Sequence, residues 1–213
     1  MLAVTSTHAE GLSGSIGVTN AYMSRGTEQN VYHEPAVLGF VTYEKNGFYV
    51  SAFAANMNYG EGTTFELDGF GGYRFPAGEW LIDVGFAAIN YPSSPNMWNF
   101  VEYDIKADRP VGKGSFGIWL GYTDAYFYSY GQGVWSEAHG SYPINDKVSV
   151  SASVAYQDLN DGWSYATYNV GTTISLAPTV LLDVRYSDTN QHDLDPLFGT
   201  YNDRLAVTLT KLF

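Results

Sequence analysis

The chain has 213 residues, 45 % hydrophobic and 15 % charged, with 18 Tyr, 12 Phe, 5 Trp and no Cys. Intrinsic disorder needs few aromatics and low hydrophobicity, so it is excluded; disulfide staples and Cys-based zinc or redox sites are excluded by the missing thiols. Ten Lys and Arg stand against 22 Asp and Glu, a net charge of -12, which repels phosphate backbones and removes nucleic acid from the expected partners.

Gly, Ser, Asn or Asp interrupts every apolar run well short of the roughly 18 residues that a membrane-spanning helix needs. At the start, Leu2-Ala3-Val4 followed by Thr7-His8-Ala9 reads either as the tail of a secretory signal with cleavage after Ala9 or as a vector-derived remnant. Residues 1–9 are therefore set apart, and residues 10–213 read as one domain.

From Ser13 onward apolar and polar residues alternate. The pattern is clearest in Lys147 to Gln157, where Val148, Val150, Ala152, Val154 and Tyr156 are interleaved with small polar residues. Period two predicts a strand with one apolar face. Such segments fall in chain order at 13–25, 34–45, 47–58, 63–75, 79–90, 97–107, 114–125, 134–143, 147–157, 165–176, 179–188 and 203–213, with no helical period between them. Most span roughly 10 to 13 residues, longer than the 5 to 6 usual in soluble sheets and sufficient to cross a bilayer at a tilt.

Tight links at Lys45-Asn46-Gly47, Pro76-Ala77-Gly78, Ile144-Asn145-Asp146 and Ala177-Pro178 alternate with longer polar ones at 26–33, 59–62, 91–96, 126–133, 158–164 and 189–202. An even number of antiparallel strands with alternating short and long connections predicts an all-β, closed transmembrane barrel of about twelve strands, with short periplasmic turns and longer extracellular loops. Tyr22, Tyr43, Phe48, Tyr49, Tyr73, Phe75, Trp80, Tyr91, Trp98, Tyr122, Tyr142, Tyr156 and Tyr186 cluster near strand ends, as the two aromatic girdles of such a barrel do. A soluble sandwich or lipocalin-like barrel is the competing architecture. The last strand ends on Phe213, which resembles the C-terminal signal read by the bacterial barrel-assembly machinery, although Lys211 departs from the usual apolar pattern there.

Four segments carry a family resemblance. They are Asn20-Ala21-Tyr22-Met23-Ser24-Arg25-Gly26-Thr27-Glu28-Gln29, Gly47-Phe48-Tyr49-Val50 with Ala55-Asn56, Glu66-Leu67-Asp68 with Gly72-Tyr73, and Tyr91-Pro92 followed by Asn99-Phe100-Val101-Glu102. In order and spacing they resemble the proteobacterial TorF porin family over about the first half of the chain. The resemblance implies a bacterial outer-membrane barrel with a pore role; it does not name a substrate.

If the apolar phase faces lipid, where a Lys or Arg costs about 2 to 4 kcal/mol at midplane, the opposite phase sends Glu44, Glu66, Asp68, Asp83, Glu102, Asp104, Glu137 and Asp183 into the lumen. Arg25, Arg74, Lys106, Arg185 and Arg204 share that phase. These charges either form a selectivity-determining ring or neutralise one another between neighbouring strands. Counting along the strands sets Asp68, Asp83, Glu102, Asp104 and Asp183 near mid-height, opposed there mainly by Arg185, so the lumen is expected to be acidic and to prefer cations.

Arg25 and Gly26 are expected to end the first strand at the extracellular rim, where the Arg either clamps an anionic solute or pins a loop to a carboxylate. The Gly69-Phe70-Gly71-Gly72-Tyr73 run lacks the following helix and Lys of a phosphate loop, and reads as Gly making room for aromatics. His139 lies between Glu137 and Ser141 on one strand face, but alternate residues stand roughly 7 Å apart, too far for a triad without help from another strand. Asp188, Asn190, Asp193 and Asp195 are calcium-type ligands without EF-hand spacing, and read as a solvated acidic loop.

The expected function is passive diffusion of small solutes or ions through a narrow outer-membrane lumen, with no catalytic residue, metal or cofactor. The expected partners are outer-membrane lipid and lipopolysaccharide, the assembly machinery and the solute itself. A barrel-scaffolded hydrolase and a loop-mediated anchor or adhesin are the alternatives; loops of about 4 to 14 residues are short for the latter. Removal of Phe213 should lower the amount of protein reaching the outer membrane in cells while leaving the thermal stability of refolded protein close to that of the intact chain. Normal membrane levels of the truncated chain would contradict this reading of the terminus.

Overall fold

The computed structural model of the protein describes residues 10–94, 98–127, 131–160, 162–195, 197 and 199–213. The reading of residues 1–9 as a signal tail or remnant lies outside them. Fourteen strands follow in chain order: β1 (Gly11–Thr19), β2 (Met23–Ser24), β3 (Thr27–Glu28), β4 (Ala36–Lys45), β5 (Phe48–Asn56), β6 (Phe65–Ala77), β7 (Trp80–Ile89), β8 (Phe100–Val111), β9 (Gly114–Thr123), β10 (Gly133–Pro143), β11 (Val148–Leu159), β12 (Tyr165–Ala177), β13 (Val180–Thr189) and β14 (Arg204–Leu212). β1 and β4 to β14 form a closed twelve-stranded barrel, as expected, and β2 and β3 form a separate hairpin. From β4 to β14 each strand pairs antiparallel with its sequence neighbour, and β1 closes the ring between β14 and β4.

Alternation explains both the strands and the closure. In β9, Phe116, Ile118, Leu120 and Tyr122 are exposed while Trp119 and Thr123 are buried. The same division runs through the barrel: Leu12, Ile16, Val18, Val50, Val84, Ile105, Val154, Val170 and Leu205 are exposed, whereas Glu44, Glu66, Asp68, Glu102, Asp104 and Asp183 are buried. An apolar exterior around a polar interior is the arrangement of a barrel in lipid, and the reverse of a water-soluble sandwich.

Two-residue turns fit the tight end. Asn46 and Gly47 have φ of 53° and 81°, the left-handed pair required by the hairpin turn that matches strand twist. Glu10 accepts a hydrogen bond from the Asn46 backbone N–H at 3.0 Å, so the described chain starts at this end of the barrel. Phe213 also lies there: its backbone exchanges hydrogen bonds with Gly14 at 2.9 and 3.0 Å across the closing seam. Its ring covers Gly14, where a β-carbon would lie only 2.6 Å from the ring edge.

Two expectations need correction. The first strand stops at Thr19 rather than running to residue 25, because Asn20 uses its side-chain amide to bond Leu205 O (3.0 Å) and Val207 N (2.5 Å) as the chain leaves the sheet. The aromatic girdles also lose four members. Tyr22 and Tyr91 are buried in the interior cluster and Trp98 packs against it, while Tyr49, one residue out of phase with outward Phe48, bonds the interior Asp83.

Because a closed barrel has no free edge from which to unfold, the protein should require detergent for solubility and should migrate differently on a gel with and without boiling. Full solubility as a monomer without detergent would refute the barrel.

Candidate functional site

The first long connection, residues 20–35, does not stay outside the barrel. It turns inward as the β2–β3 hairpin, paired through Met23 with Glu28 and Ser24 with Thr27. Its tip is the pair Arg25 and Gly26, both in the left-handed region at φ 50° and 83°. Gly26 is required twice over: its φ disfavours other residues, and a β-carbon there would lie 2.0 Å from Thr167 Oγ1 on β12. The hairpin therefore leaves the wall beside β1 and reaches strands on the far side of the ring.

At that far wall the Arg25 guanidinium meets a prepared pocket. Its Nη2 donates to Glu102 on β8, and Nη1 donates to Gln157 Oε1 on β11 at 3.3 Å. The indole faces of Trp119 on β9 and Trp135 on β10 lie 5.2 and 5.0 Å from its central carbon, within cation–π range. Tyr165 on β12 donates its hydroxyl to Arg25 O at 3.0 Å. The expectation that Arg25 and Gly26 end a strand at the rim is thus corrected: turn geometry, rather than strand continuation, brings Arg25 onto a carboxylate within the barrel.

The near side is anchored as well. Glu28 is 1 % exposed and accepts from Arg204 on β14, with His33 Nδ1 2.6 Å from the same carboxylate. Tyr22 donates to Glu66 at 2.7 Å, and Tyr59 donates to Gln29. Tyr22, Met57 and Tyr91 form a buried apolar cluster, against which Tyr59, Trp98 and Phe127 pack. These contacts fill the long-loop end of the interior, beneath the long loops.

The other interior charges sort into bound and unbound groups. Arg74 donates to Asp83 at 2.9 Å and to Glu44 at 2.5 Å, and stacks 3.9 Å from the Tyr49 ring. Gly72 and Gly85 leave room for that Tyr49 hydroxyl, as the glycine-run reading expects: a β-carbon at either would lie within 2.7 Å of it. Arg185 binds Asp183 bidentately at 3.1 and 3.2 Å and adds Asn169 at 2.6 Å and Ser151 at 2.9 Å.

Of the interior acids read from the strand phase, three have no cation within ion-pair distance among the described residues. Glu66 accepts from Tyr22, Asp68 from the Asn90 backbone N–H at 3.1 Å, and Asp104 from Trp119 Nε1. The expectation that Arg185 is the main counter-charge at mid-height is corrected, because Arg25 reaches Glu102 from a loop and Arg74 pairs with Asp83 directly across β6 and β7.

His139 is held between two acids, with Nε2 2.9 Å from Asp108 and Nδ1 3.2 Å from Glu137. Ser141 instead pairs with Ser115 at 2.8 Å, so these three residues do not form a nucleophile–base pair. In the last loop His192 lies 2.8 Å from Asp188, which raises the imidazole pKa, and Asp195 accepts from Thr200. Among the described residues no group of three His, Asp or Glu gathers closely enough to hold a metal ion.

Sequence reasoning missed Trp119, Trp135, Gln157 and Tyr165 as partners of Arg25. The first two carried a usable signal: each is a large aromatic in the polar phase of its strand, opposite Phe116, Ile118 and Leu120 on β9 or Val134 on β10.

A closed antiparallel barrel with this inverted polarity and alternating short and long connections is an outer-membrane β-barrel of porin-like fold. The chain belongs to the family described as "Bacterial protein of unknown function (Gcw_chp)", whose profile matches residues 3–213. Among solved structures it is similar to the KdgM porin, with 11 % identity and a TM-score of 0.67 over 94 % of this chain and 99 % of that one. That porin has also been solved in complex with disordered oligogalacturonate (TM-score 0.65, 10 % identity, 95 % and 98 % covered). The NanC porin matches with a TM-score of 0.59 and 11 % identity over 95 % and 98 % of the two chains. Omp33 of Acinetobacter baumannii matches with 0.55 and 11 % over 96 % and 98 %. Identities this low carry the fold. A search of curated proteins returns no match.

Gly26→Val should cost the docked hairpin about 1–3 kcal/mol, through backbone strain and the clash with Thr167. Proteolysis of intact cells should then cut within residues 20–35 faster than in the wild type, while the heat-dependent gel shift of the barrel is kept. An unchanged cutting rate would show that the hairpin does not depend on this close approach.

Proposed function

We propose that the protein is an outer-membrane channel for passive diffusion of small solutes or ions, of the kind that the TorF resemblance implies, and that its lumen prefers cations. Residues 10–213 act in this reading as one barrel domain, embedded in lipid and lipopolysaccharide after insertion by the assembly machinery. One observation supports the preference: Arg25, Arg74 and Arg185 are each engaged by acids, whereas Glu66, Asp68 and Asp104 make no ion pair among the described residues. In a narrow lumen with a low-dielectric wall, the charge that such carboxylates carry acts on passing ions more strongly than in bulk water.

The alternative of a neutral, closed network applies to part of the interior, namely the Arg74 and Arg185 clusters. Oligogalacturonate, held by the KdgM porin, is a polyanion, and the acid excess here argues for a cargo of opposite sign. The filled long-loop end supports a small cargo rather than a polymer. Catalysis is disfavoured by the arrangement of His139, both of whose ring nitrogens face carboxylates.

Purified protein in a planar bilayer under a potassium chloride gradient should give a reversal potential of cation-selective sign. Asp68→Asn and Asp104→Asn should each shift it toward zero. Anion preference, or selectivity unchanged in both variants, would overturn the assignment.

A further inference from the structure

The pocket around the Arg25 guanidinium is built from the barrel wall, not from the hairpin that fills it. Glu102, Trp119, Trp135 and Gln157 come from four consecutive strands, and each of the last three is held independently of Arg25. Trp119 donates Nε1 to Asp104, Gln157 Nε2 donates to Val134 O at 3.3 Å, and the two indoles meet edge to face with centroids 5.9 Å apart. Their exposures are 8 % for Trp119, 1 % for Trp135, 1 % for Gln157 and 3 % for Glu102. Two aromatic faces, a carboxylate and an amide oxygen form a cation receptor of the aromatic-cage type.

We infer that this cage is a binding site for a guanidinium- or ammonium-bearing solute, and that Arg25 is a built-in competitor which such a solute displaces. The inference rests on the proposed channel reading for its role, since a solute that takes the cage also releases the hairpin tip from the far wall of the lumen. Three observations support displacement. The hairpin is a short ladder of its own, Met23 with Glu28 and Ser24 with Thr27 closed by the Gln29 N–H to Tyr22 O bond at 2.7 Å, and none of its residues belongs to a barrel strand, so its tip can move without opening the wall.

Trp135 Nε1 is buried and has no hydrogen-bond acceptor among the described residues. Arg25 offers the pocket donors only, so it leaves that N–H unsatisfied, whereas a solute carrying an acceptor beside its cation satisfies it. Glu102, once Arg25 leaves, is a buried carboxylate that demands a replacement cation. Lys106, whose Nζ lies 4.5 Å from the Trp119 ring, is an internal cation already beside the cage, which is why one variant removes it.

The test reads binding in detergent, without ion flow, so its result stands apart from the conductance measurement. Intrinsic tryptophan emission is titrated at constant ionic strength with methylguanidinium, with L-argininamide, which adds an acceptor, and with methylurea as the neutral isostere. The variants are Arg25→Ala, Arg25→Ala with Lys106→Met, and Arg25→Ala with Glu102→Gln, each checked for the heat-dependent gel shift.

Removing the competitor should tighten methylguanidinium binding by about tenfold or more relative to the wild type, because the apparent affinity of an occupied site falls with the fraction that is open. L-argininamide should bind more tightly than methylguanidinium, methylurea should not bind, and Glu102→Gln should abolish the response. In the wild type, L-argininamide should accelerate proteolysis within residues 20–35, an arm that needs no variant to fold. The inference is overturned by absence of binding in both variants that keep Glu102, by equal response to methylurea, by binding retained with Glu102→Gln, or by wild-type proteolysis that L-argininamide leaves unchanged. Binding without conductance would end the channel reading alone.

Discussion

Hydrocarbon outside the barrel dictates what is inside it. A wall residue faces either lipid or the interior, and a charge on the lipid face costs more than most single interactions return. The twelve strands therefore send Val, Ile, Leu and Tyr outward and collect their acids and bases within one enclosed space. There, screening is weak and each carboxylate must find a donor or a counter-charge. The Arg74 cluster with Glu44, Asp83 and Tyr49, and the Arg185 cluster with Asp183, Asn169 and Ser151, are local answers built between neighbouring strands.

Arg25 is a different answer, supplied by a loop. Among the described residues Glu102 has no strand-borne guanidinium beside it; residues 20–35 turn back into the barrel and deliver an Arg from the opposite side. The same hairpin buries Glu28 against Arg204 on its own side, so both ends of the insertion are fastened by charge-assisted hydrogen bonds. Removing one partner of such a buried pair leaves the other charge uncompensated, so each fastening resists loss of its partner. The hairpin is thus specified in position by its contacts with the wall while its own ladder is short.

The aromatic residues divide along the same boundary. Those on the outside, such as Tyr43, Phe48, Tyr73, Tyr142, Tyr156 and Tyr186, sit near strand ends, where an amphipathic ring is favoured at the lipid–water interface. Those inside do two separate jobs: Tyr22, Tyr59, Tyr91, Trp98 and Phe127 pack together beneath the loops, and Trp119 and Trp135 present their faces to a cation. Identical residue types at similar heights along a strand serve these different ends because a shift of one residue reverses the face.

Sequence by itself determined the architecture, because strand identity, strand length and the short–long alternation of connections are local properties. The period-two runs locate all twelve barrel strands, and the alternating connections set which end carries the loops. The phase of Glu66, Asp68, Glu102, Asp104 and Asp183 is also local, since it follows from neighbours two residues away. Partners are not local. Arg25 lies 77 residues from Glu102 and 132 from Gln157, and alternation through residues 20–25 looked like more strand. Only the tertiary structure decided that Asn20 ends β1, that two left-handed residues turn the chain inward, and that the far wall holds a carboxylate between two indoles. A barrel interior brings together residues from every strand at one height, and that registration across the lumen depends on closure and stagger of the whole sheet rather than on any single segment.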